Sequence, residues 1–209
     1  MDLASVERYL EHLVMPSDPI LQEMDAMAKE RHFPYVGPLV GQLLMVLATS
    51  IQATRVLELG SGFGYSAWWF SQAVGPDGEV HLTERDPQNL ALANDFLTRS
   101  GFADRIYLHS GEASQALVNI PGDFDVVFID ARKVEYPAFL DAAVSRVRVG
   151  GYIIADNTLW GGAVAHPASE SDLDTRALQE FNRKIFRETR LRSMILPLRD
   201  GVSISLKLE

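Results

Sequence analysis

Apolar positions along this chain repeat first at helical spacing and then alternately at strand and helix spacing, and that change sets the expected order of elements. Residues 3–14 carry apolar side chains at helical intervals, and the pattern stops near Met15-Pro16. Ser17-Asp18-Pro19 reads as a cap followed by a first-turn proline, opening a second helix over about 18–31. Phe33-Pro34-Tyr35-Val36-Gly37-Pro38 reads as a rigid loop, and Val40 to Ser50 as a third, largely apolar helix. Short apolar runs then alternate with helical stretches. Strands are expected from Arg55, at Glu79–Glu84, Arg105–His109, Phe124–Asp130 and Tyr152–Asn157. Helices are expected at about 67–73, 87–100, 111–119, 135–147 and 171–189, with Gly101 and Pro121-Gly122 as stops and Val149-Gly150-Gly151 as a turn. Two last strands, 191–197 and 202–208, are joined by Arg199-Asp200-Gly201, short enough for a hairpin, so the last strand runs antiparallel. The pattern predicts a doubly wound, Rossmann-like α/β fold: a seven-stranded, mostly parallel sheet behind N-terminal helices. Its length fits one domain over 1–209, with 1–50 as a helical cap and 51–209 as the α/β core.

Composition narrows the class of partner. Hydrophobic residues make up 47% of the chain, enough for a sizeable core, and mean hydropathy is near zero. No apolar run approaches the length of a membrane span, and the start, Met1-Asp2-Leu3-Ala4-Ser5-Val6-Glu7, lacks the basic opening of a secretory signal. There is no cysteine, which fits a cytoplasmic location. A formal charge of −9 argues against a nucleic-acid surface, which needs clustered Lys and Arg.

The first candidate chemistry lies in Arg55-Val56-Leu57-Glu58-Leu59-Gly60-Ser61-Gly62-Phe63-Gly64-Tyr65-Ser66. A strand passes through glycines at every second position into a helix. Glycine lets the backbone approach a ligand, and the first-turn N–H groups face it. A dinucleotide fingerprint needs glycine where Tyr65 stands, which weakens an NAD reading. Glu58 would repel a pyrophosphate and suits a ligand carrying an ammonium group. Glu84 ends the next strand, 24 residues after Gly60, where a carboxylate can accept ribose hydroxyls.

The second candidate set sits at two later strand ends. Asp130, Asp156 and Asn157 offer three oxygens and no thiolate, a donor set for a hard cation such as Mg²⁺. Strands also end in Asp for capping alone, so the pairing of two such ends carries the weight. Lys133 follows Asp130 by three residues; beside a bound cation its pKa would fall, fitting it as a general base. His12, His32, His81, His109 and His166 are scattered, with no metal-ligand spacing, and only His166 falls near the expected active face. Trp68 and Trp69 are adjacent on a helix, so one at most is expected to face the core squarely.

The pattern Glu-x-Gly-x-Gly-x-Gly resembles motif I of methyltransferases that use S-adenosylmethionine (SAM). Further stretches resemble the cation-dependent O-methyltransferases, the group containing catechol and caffeoyl-coenzyme A O-methyltransferases. They are Val36-Gly37-Pro38 with Gly41-Gln42, Glu84 with Pro87, Gly111-Glu112-Ala113, and Asp130-Ala131-Arg132-Lys133 with Tyr136. Asp156-Asn157-Thr158-Leu159-Trp160 and Leu196-Pro197-Leu198-Arg199-Asp200-Gly201-Val202 complete the set. The resemblance runs from about Asp18 to the C-terminus. It implies a SAM methyltransferase fold, and often a homodimer. It implies that Glu58, Ser66 and the backbone near Val36 hold the methionine part of SAM, with Gly60 and Gly62 in the cofactor loop. Glu84 would take the ribose, and Ala113 with Ser114 would border the adenine. Asp130, Asp156 and Asn157 would hold Mg²⁺, Mn²⁺ or Ca²⁺, with Lys133 and Asp130 as catalytic residues and a small catechol-like phenol as acceptor. Arg132 departs from the family pattern; it would add positive charge at the rim and favour acceptors bearing a carboxylate. Val40 replaces a polar residue of relatives, and no basic cluster suits a coenzyme A phosphate. The competing expectations are an NAD-binding oxidoreductase, a nucleic-acid amino-methyltransferase, which would need Asp/Asn-Pro-Pro-aromatic where Asp156-Asn157-Thr158-Leu159 stands, and a SAM-binding module without catalysis.

Overall fold

Val126 and Phe128 of the strand Phe124–Ile129 point into one apolar cluster, and Phe124, Val127 and Ile129 into another. A strand buried on both faces is the centre of a sheet covered on both sides by helices. In the computed structural model, which describes residues 3–14 and 18–209, the sheet has seven strands. They are β1 (Arg55–Leu59), β2 (Glu79–Glu84), β3 (Ile106–Ser110), β4 (Phe124–Ile129), β5 (Val147–Ala155), β6 (Leu191–Leu196) and β7 (Val202–Lys207). Their order is β3-β2-β1-β4-β5-β7-β6. β7 pairs antiparallel with both β5 and β6, and the pairs among β1 to β5 are parallel, as the hairpin and the alternation predict.

Helices α2 (Pro19–Glu30), α3 (Gly37–Ser50), α4 (Tyr65–Ala73) and α5 (Pro87–Arg99) cover one face of the sheet. Helices α6 (Ala113–Asn119), α7 (Tyr136–Arg146) and α8 (Leu173–Arg187) cover the other. Helix α1 (Leu3–Val14) packs on α3. The expected stop of α1 at Met15-Pro16, and Ser17, lie outside the described residues. Asp18 is the cap of α2; its Oδ1 accepts the N–H groups of Ile20 and Leu21, both at 2.9 Å. No helix among the described residues is long and apolar enough to cross a membrane.

Three local expectations give way to packing. Helix α3 begins at Gly37, three residues before Val40, because Pro38 suits a first turn that needs no N–H donor. Trp68 and Trp69 are both buried, since α4 lies between the sheet and helices α2 and α3 and has no solvent side there. Gly41 of α3 makes room for the Trp69 indole. The stretch Val149-Gly150-Gly151 is not a turn before the strand; β5 starts at Val147 and runs through it as an irregularity. Gly150 has φ +78°, and a Cβ on Gly151 would lie 2.6 Å from the Asp125 carbonyl oxygen. The histidines are also not all separate: His81 Nδ1 and His109 Nε2 stand 3.0 Å apart across the β2–β3 pairing. Strand registry, which spacing along the chain does not show, puts them side by side.

Candidate active site

The strand order reverses between β1 and β4, and the carboxyl ends of both open onto a cavity of about 610 Å³. In a doubly wound sheet this reversal is where ligands bind. Gly60, Gly62 and Gly64 carry the chain across it with φ of 87°, 53° and 86°, values costly for any other residue. A Cβ on Gly60 would collide with the Asp130 carbonyl oxygen, so glycine is what allows the two strand ends to approach.

Glu58 lies one residue before the end of β1 and is fully buried. Its Oε2 accepts from Ser61 Oγ at 2.7 Å and its Oε1 accepts a short bond from Ser66 Oγ. Burial pushes its carboxyl up to about 7, against the pull of those two hydroxyls. Glu58 is not itself on the cavity wall; Ser61 and Ser66 stand there in front of it. Glu84, at the end of β2, is on the wall, and its two oxygens accept from the N–H groups of Gly62 (2.9 Å) and Asp86 (2.8 Å). Those bonds orient the carboxylate and leave further lone pairs free. Val36, Gly60, Gly62 and Ala113 also line the cavity. Ser114 does not; it is exposed, because the next helical residue turns roughly 100° away from Ala113.

The remaining wall comes from the ends of β4 and β5. Lys133 is 8% exposed, and its Nζ donates to Asn157 Oδ1 (2.7 Å), Tyr136 OH (2.8 Å) and Asp130 Oδ1 (3.3 Å). Tyr136 OH in turn donates to the Asp156 carbonyl oxygen at 3.0 Å. Asn157 has φ +56°, a left-handed conformation that asparagine tolerates better than most residues. Burial raises the Asp130 carboxyl, opposed by Lys133 and Arg199. Burial and then the charge of Asp130 push the Asp156 carboxyl up to about 7. Asp156 Oδ1 is buried with no hydrogen-bond partner among the described residues. An orphaned carboxylate oxygen beside a second carboxylate and an amide oxygen fits a hard cation. Among the described residues no group of three or more His, Asp or Glu is placed to hold a metal, so this set has only two acids.

Several wall residues carry no spacing signal in the sequence. Phe33 and Tyr35 come from the loop before α3 and pack edge-on to Phe63 and Tyr65 respectively. Trp160 and Arg199 come from segments that follow β5 and β6. The adjacency of aromatics and prolines in Phe33-Pro34-Tyr35 was the one local signal. Arg132 is on the wall, but its guanidinium is paired with Glu135 at 2.9 and 3.1 Å. His166 lines a separate groove with Gln179 and Arg183.

A family model described as O-methyltransferase matches residues 11–208. The catechol O-methyltransferase of Mycobacterium tuberculosis is 32% identical over 198 residues, covering 86% of this chain and 90% of that protein. The O-methyltransferase TomG of Streptomyces achromogenes, solved in complex with SAM, superposes with a TM-score of 0.90 at 28% identity over 98% of this chain and 96% of that one. The O-methyltransferase of Bacillus cereus in complex with SAH gives 0.89 at 27% identity, covering 97% of each. With the glycine loop, the two acid-bearing strand ends and these likenesses together, the chain belongs to the O-methyltransferase family.

Proposed function

We propose that this enzyme moves the methyl group of SAM to a hydroxyl of a small catechol-like or phenolic acceptor, with a divalent cation held by Asp130, Asp156 and Asn157. Mg²⁺ is the first choice, with Mn²⁺ and Ca²⁺ as alternatives. The observation that carries the reading is the orphaned Asp156 Oδ1 on the wall that also holds Asp130, Asn157 and the buried Lys133. A cation there would lower the pKa of the acceptor's hydroxyl, and SAM would supply the methyl group.

The chain's own residues do the rest. Glu58, through Ser61 and Ser66, makes the Gly60 side of the cavity favourable to an ammonium group, and the backbone near Val36 borders it. Glu84 accepts ribose hydroxyls, and Ala113 borders the adenine. Lys133 is the group placed to take the proton from the acceptor hydroxyl; Tyr136 and Asn157 hold its Nζ in place. Fixing donor and acceptor in one crevice lowers the barrier by sparing the entropy of bringing them together.

We also propose that helices 1–50 and core 51–209 work as one domain, supported by the packing of α3 on α4. The exposed apolar residues of α1 support a homodimer, the net charge of −9 disfavours nucleic acid, and the lack of cysteine suits the cytoplasm.

The test is SAM consumption with a catechol, with and without EDTA. Activity should vanish with EDTA and return with Mg²⁺. Lys133→Ala should slow the reaction by roughly 10²–10⁴, the usual worth of a positioned base, with part of the loss regained at high pH. EDTA-resistant turnover would remove the cation from the reading.

A further inference from the structure

Arg199 is a wall arginine held by a backbone carbonyl rather than by a carboxylate. It lies on the β6–β7 hairpin, with φ +48°, and its side chain reaches back to the loop before α3. There its Nη1 donates to the Tyr35 carbonyl oxygen at 3.1 Å, and its guanidinium carbon stands 5.7 Å from the centre of the Tyr35 ring. Gly37 makes room for it, since a Cβ at that position would collide with Nη1. Among the described residues Arg199 forms no ion pair with an acid. Its neighbour Asp200 is turned away, with Oδ1 on the Gly161 N–H.

Arg199 acts on the reacting end of the cavity. It lines the same cavity as Asp130, Asp156 and Asn157, the proposed cation ligands. The other two arginines on the wall are each matched by an acid, Arg132 by Glu135 and Arg85 by Glu112. A guanidinium has five N–H donors in a planar fork that fits a carboxylate with two parallel bonds. One donor of Arg199 is spent on Tyr35, and the same cavity wall holds Trp160 and Tyr35, which suit an aromatic ring.

We propose that Arg199 selects the acceptor, binding a carboxylate carried by the phenolic substrate. This rests on the acceptor being phenolic, as argued above. The bland alternative is a staple tying the hairpin to the loop before α3. A staple would serve every acceptor equally, whereas a specificity residue discriminates by charge.

The experiment compares three catechols of similar size in the presence of SAM and Mg²⁺: 3,4-dihydroxybenzoate, neutral 4-methylcatechol and cationic dopamine. The wild-type enzyme should give the lowest KM for the benzoate. Arg199→Gln should raise that KM by about fivefold, as expected for an exposed charge-assisted pair, and leave the neutral KM unchanged. Arg199→Lys should fall between the two. Added salt should raise the wild-type KM for the benzoate alone, a readout that needs no variant. Equal KM shifts for all three catechols, accompanied by a fall in Tm, would establish the staple and overturn the proposal. So would a wild-type enzyme with no preference for the anion. If none of the three is methylated, the phenolic reading fails and this assignment goes with it; turnover without charge discrimination removes this assignment alone.

Discussion

Glu58 is a carboxyl set where water does not reach, and its two serine donors do not fully offset that loss of hydration. Its folded value of about 7 lies above the ordinary 4.5, so the folded state holds a proton that the unfolded state releases between those pH values. Stability from this group is therefore intact below about pH 4.5 and declines as pH rises to 7. The decline is on the order of 3 kcal/mol, since each tenfold difference in proton affinity between the folded and unfolded chain is worth about 1.4 kcal/mol. Urea unfolding of ligand-free protein across pH 4.5–8 should show wild type losing more stability than Glu58→Gln over that window. Parallel curves for the two proteins would refute the assignment. The same variant should bind SAM more weakly in calorimetry, because a buried negative charge is what an ammonium group rewards. The residue sits at a cost to the empty protein that a cationic ligand offsets.

At the scale of elements, the end of the sheet away from the cavity is held by one acid. Asp125, at the start of β4, accepts from the N–H groups of Thr54 and Arg55, both at 2.8 Å, and from Thr54 Oγ1 at 3.2 Å. Its other oxygen pairs with Arg148 of β5. One side chain thus ties β1 and β5 to the strand between them. Burial raises its carboxyl, but Arg148 and the two backbone donors outweigh that and hold it below the usual range. Its contribution is present above about pH 4 and lost as pH falls through the lowered value. Asp125→Ala leaves the two N–H groups unpaired and should cost about 2–4 kcal/mol in urea unfolding at pH 7. Because Asp125 is absent from the cavity wall, kcat at 25 °C should stay near wild type. A large fall in kcat without loss of stability would contradict this division between the two ends of the sheet.

At the scale of the molecule, α1 is amphipathic but leaves a large part of its apolar side uncovered. Tyr9 is 63% and Leu13 65% exposed, with Val6 and Leu10 beside them, and Val46 of α3 adds to the same surface class. Exposed apolar residues grouped on one helix are the kind of surface that marks a contact site. A second copy of the chain would cover it symmetrically. Light scattering at micromolar concentration should report about twice the 23.2 kDa chain mass, and Leu13→Asp should shift the population to monomer. A mass of one chain across that range would dispose of the dimer.

The amino-acid sequence by itself determined the elements and the side of the sheet where chemistry belongs. Periodicity separates strands from helices because each has its own repeat, and glycines at 60, 62 and 64 mark a backbone that must adopt positive φ. Strand-end acids at 84, 130 and 156 were legible because parallel strand ends all face one way. What needed the tertiary structure was whatever depends on distant segments meeting. The run of β5 through Gly150-Gly151 follows from the close approach of Asp125, not from local turn chemistry. The pairing of His81 with His109 follows from strand register, and the burial of both Trp68 and Trp69 follows from helices on the far side of α4. Glu58 stands behind Ser61 and Ser66, and Ser114 points away from the cavity, because side-chain direction is a property of packed elements. Arg132 and Arg199 look alike as letters. Only the fold gives one of them Glu135 as a partner and brings the other, from 164 residues away, onto the Tyr35 carbonyl, with no ion pair among the described residues.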